Sequence, residues 1–166
     1  PDWIAAPDRT ALPVPAGHYH RCGQEIKGEY SLWTRTTRDR QAPEPHPELA
    51  LLLATSGTTG SAKMVRLSYR NLQANAASIA EYLAVGPSER GLLTLPMQYS
   101  YGLSVINSHL LAGAAVLLTK DNMMSKPFWS FLREQEATSF PGVPYTYQML
   151  HRLRFHEMDL PSLRYH

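Results

Sequence analysis

The sequence has a single cysteine, Cys22, so no intrachain disulfide braces it, and a reducing cytoplasm is the expected compartment. It has little excess charge of either sign: 16 Lys and Arg against 14 Asp and Glu leave a net +2, scattered along the chain. That balance excludes the basic footprint of a nucleic-acid binder or of a protein held on an anionic membrane. It has no long apolar run. The longest, "LSVINSHLLAGAAVLL", carries Ser, Asn, His and Gly and is too short and polar for a membrane span. The opening "PDWIAAPDRT" has neither a basic start nor an apolar stretch, so no secretory signal is expected. An initiator Met is missing as well, and with the ending "PSLRYH" this suggests a piece cut from a longer chain. No internal repeat occurs. What is present is an ordinary globular composition, 43% hydrophobic over 166 residues, enough for one domain with a sizeable core.

Residues 1–47 read as an irregular connecting segment with short strands. The clearest strand is "YSLWTRT", where Tyr30, Leu32 and Thr34 share a face. "RDRQAPEPHPE" reads as a surface linker, because its prolines forbid helix and sheet interior alike. From residue 48 to 166 strand and helix alternate. "LALLLA", apolar without alternation, is expected to be a strand covered on both faces and followed by a loop and a helix. "YRNLQANAASIAEYLAV" puts Leu72, Ala76, Ile79, Ala80 and Leu83 on one helical face, with Ser68 as N-cap and Gly86-Pro87 as the stop. "GLLTLP", "AAVLLT" and the short "ATSF" follow as strands. Helices are expected at "GLSVINSHLLAG", at "KPFWSFLREQE" with Pro127 in the first turn, and at "VPYTYQMLHRL" behind Pro144. The order predicts an α/β fold: a mostly parallel sheet with helices on both faces.

The densest chemistry lies in "ATSGTTGSAKMV", directly behind the first strand. Gly57 and Gly60 permit sharp turns, so successive N–H groups can converge as an anion nest. Thr55, Ser56, Thr58, Thr59 and Ser61 add hydroxyls, and Lys63 adds a compact positive charge suited to a polyphosphate. Charge-assisted hydrogen bonds of this kind contribute roughly 1.5–3 kcal/mol each. The Walker loop is excluded, since Lys63 stands between Ala62 and Met64 rather than in Gly-Lys-Ser/Thr, and the dinucleotide fingerprint is excluded because the loop contains no Gly-x-Gly.

"TSGTTGSAK" resembles the signature phosphate loop of the adenylate-forming superfamily, Thr/Ser-Ser-Gly-Thr/Ser-Thr-Gly-x-Pro-Lys-Gly. Ala62 stands in place of the usual Pro and Met64 in place of the Gly. "LPMQYSYGLSV" is similar to the family's Leu-Pro-x-x-His-x-x-Gly-Leu segment, with Tyr99 at the His and Gly102 at the Gly. "FPGVPYTYQML" is similar to the stretch that enters the acyl pocket, and "LPSLRYH" to the lead into the next pocket strand.

The resemblance implies activation of a carboxylic acid with ATP and Mg²⁺, release of pyrophosphate, and transfer of the acyl group to a thiol of coenzyme A or a carrier protein. It implies that Thr55, Ser56, Gly57, Thr58, Thr59, Gly60 and Lys63 bind the β- and γ-phosphates. Lys63 and Thr59 would act in catalysis, with Thr59 near the metal. Tyr99 either borders the acid and nucleotide sites or packs beneath the sheet edge. Gly102 falls where amino-acid-activating relatives carry an Asp for the substrate ammonium. A buried ammonium without that partner is costly, so an acyl or aryl acid is favoured over an α-amino acid.

Other residues read as scaffold. His18, His20 and Cys22 lack a further closely spaced ligand pair, and His151 and His156 are poorly spaced for shared ligation. Arg66 and Arg70 read as solvated charge, and Phe128, Trp129 and Phe131 as core or pocket wall. The stretch holds no acidic Gly-x-Thr-Glu motif, no ribose-binding Thr-Gly-Asp and no distal catalytic domain. The expectation is therefore an inactive middle piece of a ligase that self-associates or docks on the remaining parts of its parent. The alternative is a noncatalytic nucleotide-binding or scaffold module that keeps the loop as architecture.

Overall fold

The computed structural model describes residues 3–7, 19–26 and 30–35 by their backbone, and 44–55 and 63–164 in full. The chain divides into two compact units, Pro1–Pro45 and His46–His166.

In the first unit three strands, β1 (Trp3–Pro7), β2 (Tyr19–Ile26) and β3 (Tyr30–Arg35), form an antiparallel sheet in the order β1-β3-β2. Trp3 lies opposite Thr34 and Pro7 opposite Tyr30. Pro7 is tolerated because β1 is an edge strand, where a missing N–H leaves no ladder bond unmade. His20 and Cys22 lie on β2, and His18 lies outside the described residues.

The second unit begins with β4 (Leu49–Ala54), which pairs antiparallel with β5 (Met64–Ser68), Leu49 opposite Ser68 and Ala54 opposite Met64. This corrects two expectations. The loop joins the arms of a hairpin rather than a parallel strand to a helix, and β4 is not covered on both faces, since Leu52 is 45% exposed. The physical reason is the short β5, whose "MVRLS" satisfies the β4 ladder before the helix can start.

Ser68 then starts helix α1 (Tyr69–Tyr82): its hydroxyl accepts from the Asn71 N–H at 3.1 Å, while the Asn71 side chain accepts from the Ser68 N–H at 3.0 Å. The helix stops earlier than Gly86-Pro87 suggests, because Ala84 turns left-handed with φ 53°.

Strands β6 (Arg90–Leu93) and β7 (Ala115–Leu118) pair in parallel, with helix α2 (Ser100–Leu111) as the crossover. Gly113, at φ 71°, ends that crossover. Ser139 adds a parallel bridge beside Gly91, and the Leu92 N–H donates to its carbonyl at 2.7 Å, so "ATSF" contributes one rung rather than a full strand. Helices α3 (Lys126–Glu134) and α4 (Pro144–Arg152) carry their prolines in the first turn, as expected.

Neighbouring residues of a strand point to opposite faces. On one face of β6, Leu92 joins Leu117, Phe128, Trp129, Leu132, Phe140 and Leu150 in the core. The Phe128 and Trp129 rings meet edge-on at 5.0 Å, and Phe131 packs against this cluster from its margin. On the other face Gly91 receives the imidazole of His109 from α2. Helices thus cover both faces of a small parallel sheet, and the fold is α/β.

At the start of β6, Glu89 is 1% exposed. Its carboxylate accepts from the Thr138 hydroxyl at 2.5 Å and pairs with the Arg164 guanidinium. The Arg164 N–H donates to the Thr138 carbonyl at 2.7 Å, which seals the far end of the described chain onto the sheet.

Candidate active site

The hairpin ladder ends in a double closure. The Thr55 N–H donates to the Lys63 carbonyl at 2.9 Å, and the Thr55 hydroxyl donates to the same oxygen at 3.1 Å. Between these residues Ser56, Gly57, Thr58, Thr59, Gly60, Ser61 and Ala62 lie outside the described residues. Thr55 therefore directs both its donors at the neck of the loop, and Lys63 holds an exposed side chain at the other end of that neck. Met64 belongs to β5 and faces Ala54 in register.

A groove of about 600 Å³ runs between the hairpin, α1 and α2. Leu53 and Leu67 of the hairpin, Leu72 and Asn75 of α1, and Ser100 and Tyr101 of α2 line it. The strand that leads into the loop and the segment that holds Tyr99 and Gly102 thus border one space. Tyr99 itself is the N-cap residue of α2 and is 63% exposed, so in this chain it does not pack beneath the sheet edge. Gly102 is buried in the first turn of α2, and a Cβ there would lie 2.4 Å from the Pro96 carbonyl oxygen. Glycine is what lets α2 start directly on the Leu95–Pro96 backbone, presenting Ser100 and Tyr101 to the groove.

A second cavity, of about 300 Å³, opens on the other side of Tyr101. Its described lining comes from the end of α1, from α2, from residues 139–141 and from α4, and among these described residues there is no Lys, Arg, Asp or Glu. Reading the sequence alone missed Tyr101, Tyr147 and His109 here. They are spread over two helices, and only the fold assembles them. His109 is buried, its Nδ1 donates to the Val105 carbonyl at 2.8 Å, and its Nε2 has no hydrogen-bond partner among the described residues.

His151, His156, Arg66 and Arg70 are not among the described residues that line either space. His151 sits on α4 and His156 in the 3-10 turn Phe155–Glu157, where it lies 3.7 Å from Glu157. Arg66 and Arg70 are exposed. Among the described residues no three His, Cys, Asp or Glu side chains cluster as a metal site, and no helix is long and apolar enough to cross a membrane.

Comparison with known proteins agrees with the fold. The family model described as AMP-binding enzyme matches residues 7–166. Sulfoacetate–CoA ligase of Cupriavidus necator is 34% identical over 149 residues, covering 87% of this chain and 25% of that protein. Oxalate–CoA ligase of Arabidopsis thaliana is 35% identical over 125 residues, covering 72% and 24%. Among solved structures, O-succinylbenzoate coenzyme A synthetase of Bacillus subtilis, in complex with AMP, superposes with a TM-score of 0.59 at 30% identity, over 71% of this chain and 30% of that one. The chain spans about a quarter of the length of these curated relatives. By fold and by sequence, the chain belongs to the AMP-binding enzyme family.

Proposed function

We propose that this chain supplies the phosphate-binding loop and part of the acid pocket of an ATP-dependent ligase. That ligase activates a carboxylic acid as an acyl-adenylate and passes the acyl group to a thiol, of coenzyme A or of a carrier protein. The observation that carries the reading is the Thr55–Lys63 closure, which holds the ends of a glycine- and hydroxyl-rich loop together beside the groove that α2 borders.

In this reading Thr55 keeps the neck shut, while Ser56, Gly57, Thr58, Thr59 and Gly60 turn amide and hydroxyl donors toward the β- and γ-phosphates. Lys63 adds its ammonium where charge grows as pyrophosphate departs, and donors fixed in advance at that place lower the barrier. Mg²⁺, when bound, would neutralise phosphate charge. In this reading the Thr59 hydroxyl would lie near it. Gly102 offers no carboxylate to pair with a substrate ammonium, which speaks for an acyl or aryl acid over an α-amino acid. Tyr99, at the open start of α2, would border the acid and the nucleotide. A second copy, or the remaining parts of the parent ligase, would cover exposed side chains such as Leu52 and Leu118. The cytoplasm is the compartment that suits the lone Cys22.

Acid-dependent ATP–pyrophosphate exchange tests the proposal. In a full-length ligase that carries this chain, Lys63→Ala is expected to slow exchange about a hundredfold. An unchanged rate would favour a noncatalytic module that retains the loop as architecture. The 166-residue chain alone is expected to give no exchange.

A further inference from the structure

We infer that the second cavity selects a compact aryl carboxylic acid over an alkyl acid of equal carbon count and over an acid with a second charge. This rests on the acid-activating reading above and narrows it. Size comes first. About 150 Å³ of apolar cavity is enough to hold benzene. A cavity of about 300 Å³ therefore takes one ring and a short link to the carboxylate, not a long chain.

The walls come next. Tyr101, Phe140 and Tyr147 line the cavity, with Tyr82 at its rim, 87% exposed at the end of α1. Aromatic rings offer a substrate ring offset and edge-on contacts beyond the burial an alkyl chain also obtains. Tyr147 already lies against the backbone: a Cβ at Gly142 would come 3.0 Å from its ring. A wall held in this way needs little further ordering when a ligand arrives.

The floor excludes charge. Ser108 and His109 are both buried and both donate to the Val105 carbonyl, at 3.1 and 2.8 Å. With no Lys, Arg, Asp or Glu among the described residues of the lining, a second carboxylate, a sulfonate or an ammonium would be desolvated without a countercharge. Tyr101 lines this cavity and the larger groove alike, so an acid seated here can direct its carboxylate past Tyr101 toward the hairpin side.

The test is a fluorine NMR titration of a full-length ligase that carries this chain with 4-fluorobenzoate, competed by heptanoate and by terephthalate, with Mg-ATP titrated in parallel. Saturable binding of 4-fluorobenzoate is expected, with each competitor at least about tenfold weaker. Tyr101→Ala and Tyr147→Ala should each weaken it several-fold to about tenfold, whereas Tyr101→Phe and Tyr147→Phe keep it, since they keep the ring. Equal competition by heptanoate or terephthalate, unchanged binding in both Ala variants, or no saturable binding would overturn the inference. Loss of ATP binding with aryl binding intact would sink the phosphate-loop reading and uphold the cavity. Intact ATP binding without aryl selectivity would sink the cavity alone.

Discussion

The imidazole of His109 lies on the backbone of Gly91, so close that a methyl group added at position 91 would stand 2.3 Å from Nε2. This contact sets how near α2 rides to β6. Gly91→Ala should destabilise the chain by about 1–3 kcal/mol through overpacking. His109→Ala should cost a comparable amount through the cavity it leaves. The double variant should cost less than the sum by at least about 0.5 kcal/mol, because the new methyl fills the vacated space. Urea denaturation of the four proteins measures this; strict additivity would mean that the two residues do not meet.

A second pair joins distant parts of the sequence. The Glu89 carboxylate is buried against Thr138 and Arg164. Arg164→Ala should destabilise the chain by about 2–3 kcal/mol, since it strips a buried carboxylate of its cation. Adding Glu89→Gln to that variant should recover part of the loss. Thermal unfolding of both variants decides it.

Gly102→Ala sets helix propensity against packing. Alanine favours a helix interior by about 1 kcal/mol over glycine. Here, however, its Cβ would meet a backbone carbonyl that cannot rotate away. The expected result is a net loss of about 1–2 kcal/mol in chemical denaturation. A gain would mean that α2 does not start on Pro96.

Four helix ends adopt the left-handed turn, at Ala84 (φ 53°), Gly113 (φ 71°), Glu136 (φ 49°) and Arg154 (φ 52°), and only one of them uses glycine. Ala84→Gly should stabilise by about 0.5–1 kcal/mol, and Gly113→Ala should destabilise by a similar amount. No atom lies near a Cβ added at Gly113, so backbone strain alone would be measured there.

Local signals made the helices legible in the sequence. The Ser68 cap, Gly113, Pro127 and Pro144 act within a turn of themselves, and the structure puts each at a helix end. Strand pairing was harder to read. β5 is five residues long and includes Arg66, so nothing within "MVRLS" announces that it turns back on β4. The same holds for the candidate site. The loop could be read from consecutive residues, whereas the aromatic cavity draws Tyr82, Tyr101 and Tyr147 from three helices that meet only in the fold. Leu52 and Leu53 likewise read as buried from composition, yet a two-stranded hairpin has too few neighbours to cover both its faces.

The hairpin neck also bears on Met64, which stands where the motif that the loop resembles has a Gly. Two donors of Thr55 converge on one oxygen of Lys63, and Met64 is already zipped to Ala54. The span between the loop's ends is thus set by the ladder beneath it. Thr55 and Lys63 are the paired posts from which the chain departs and to which it returns.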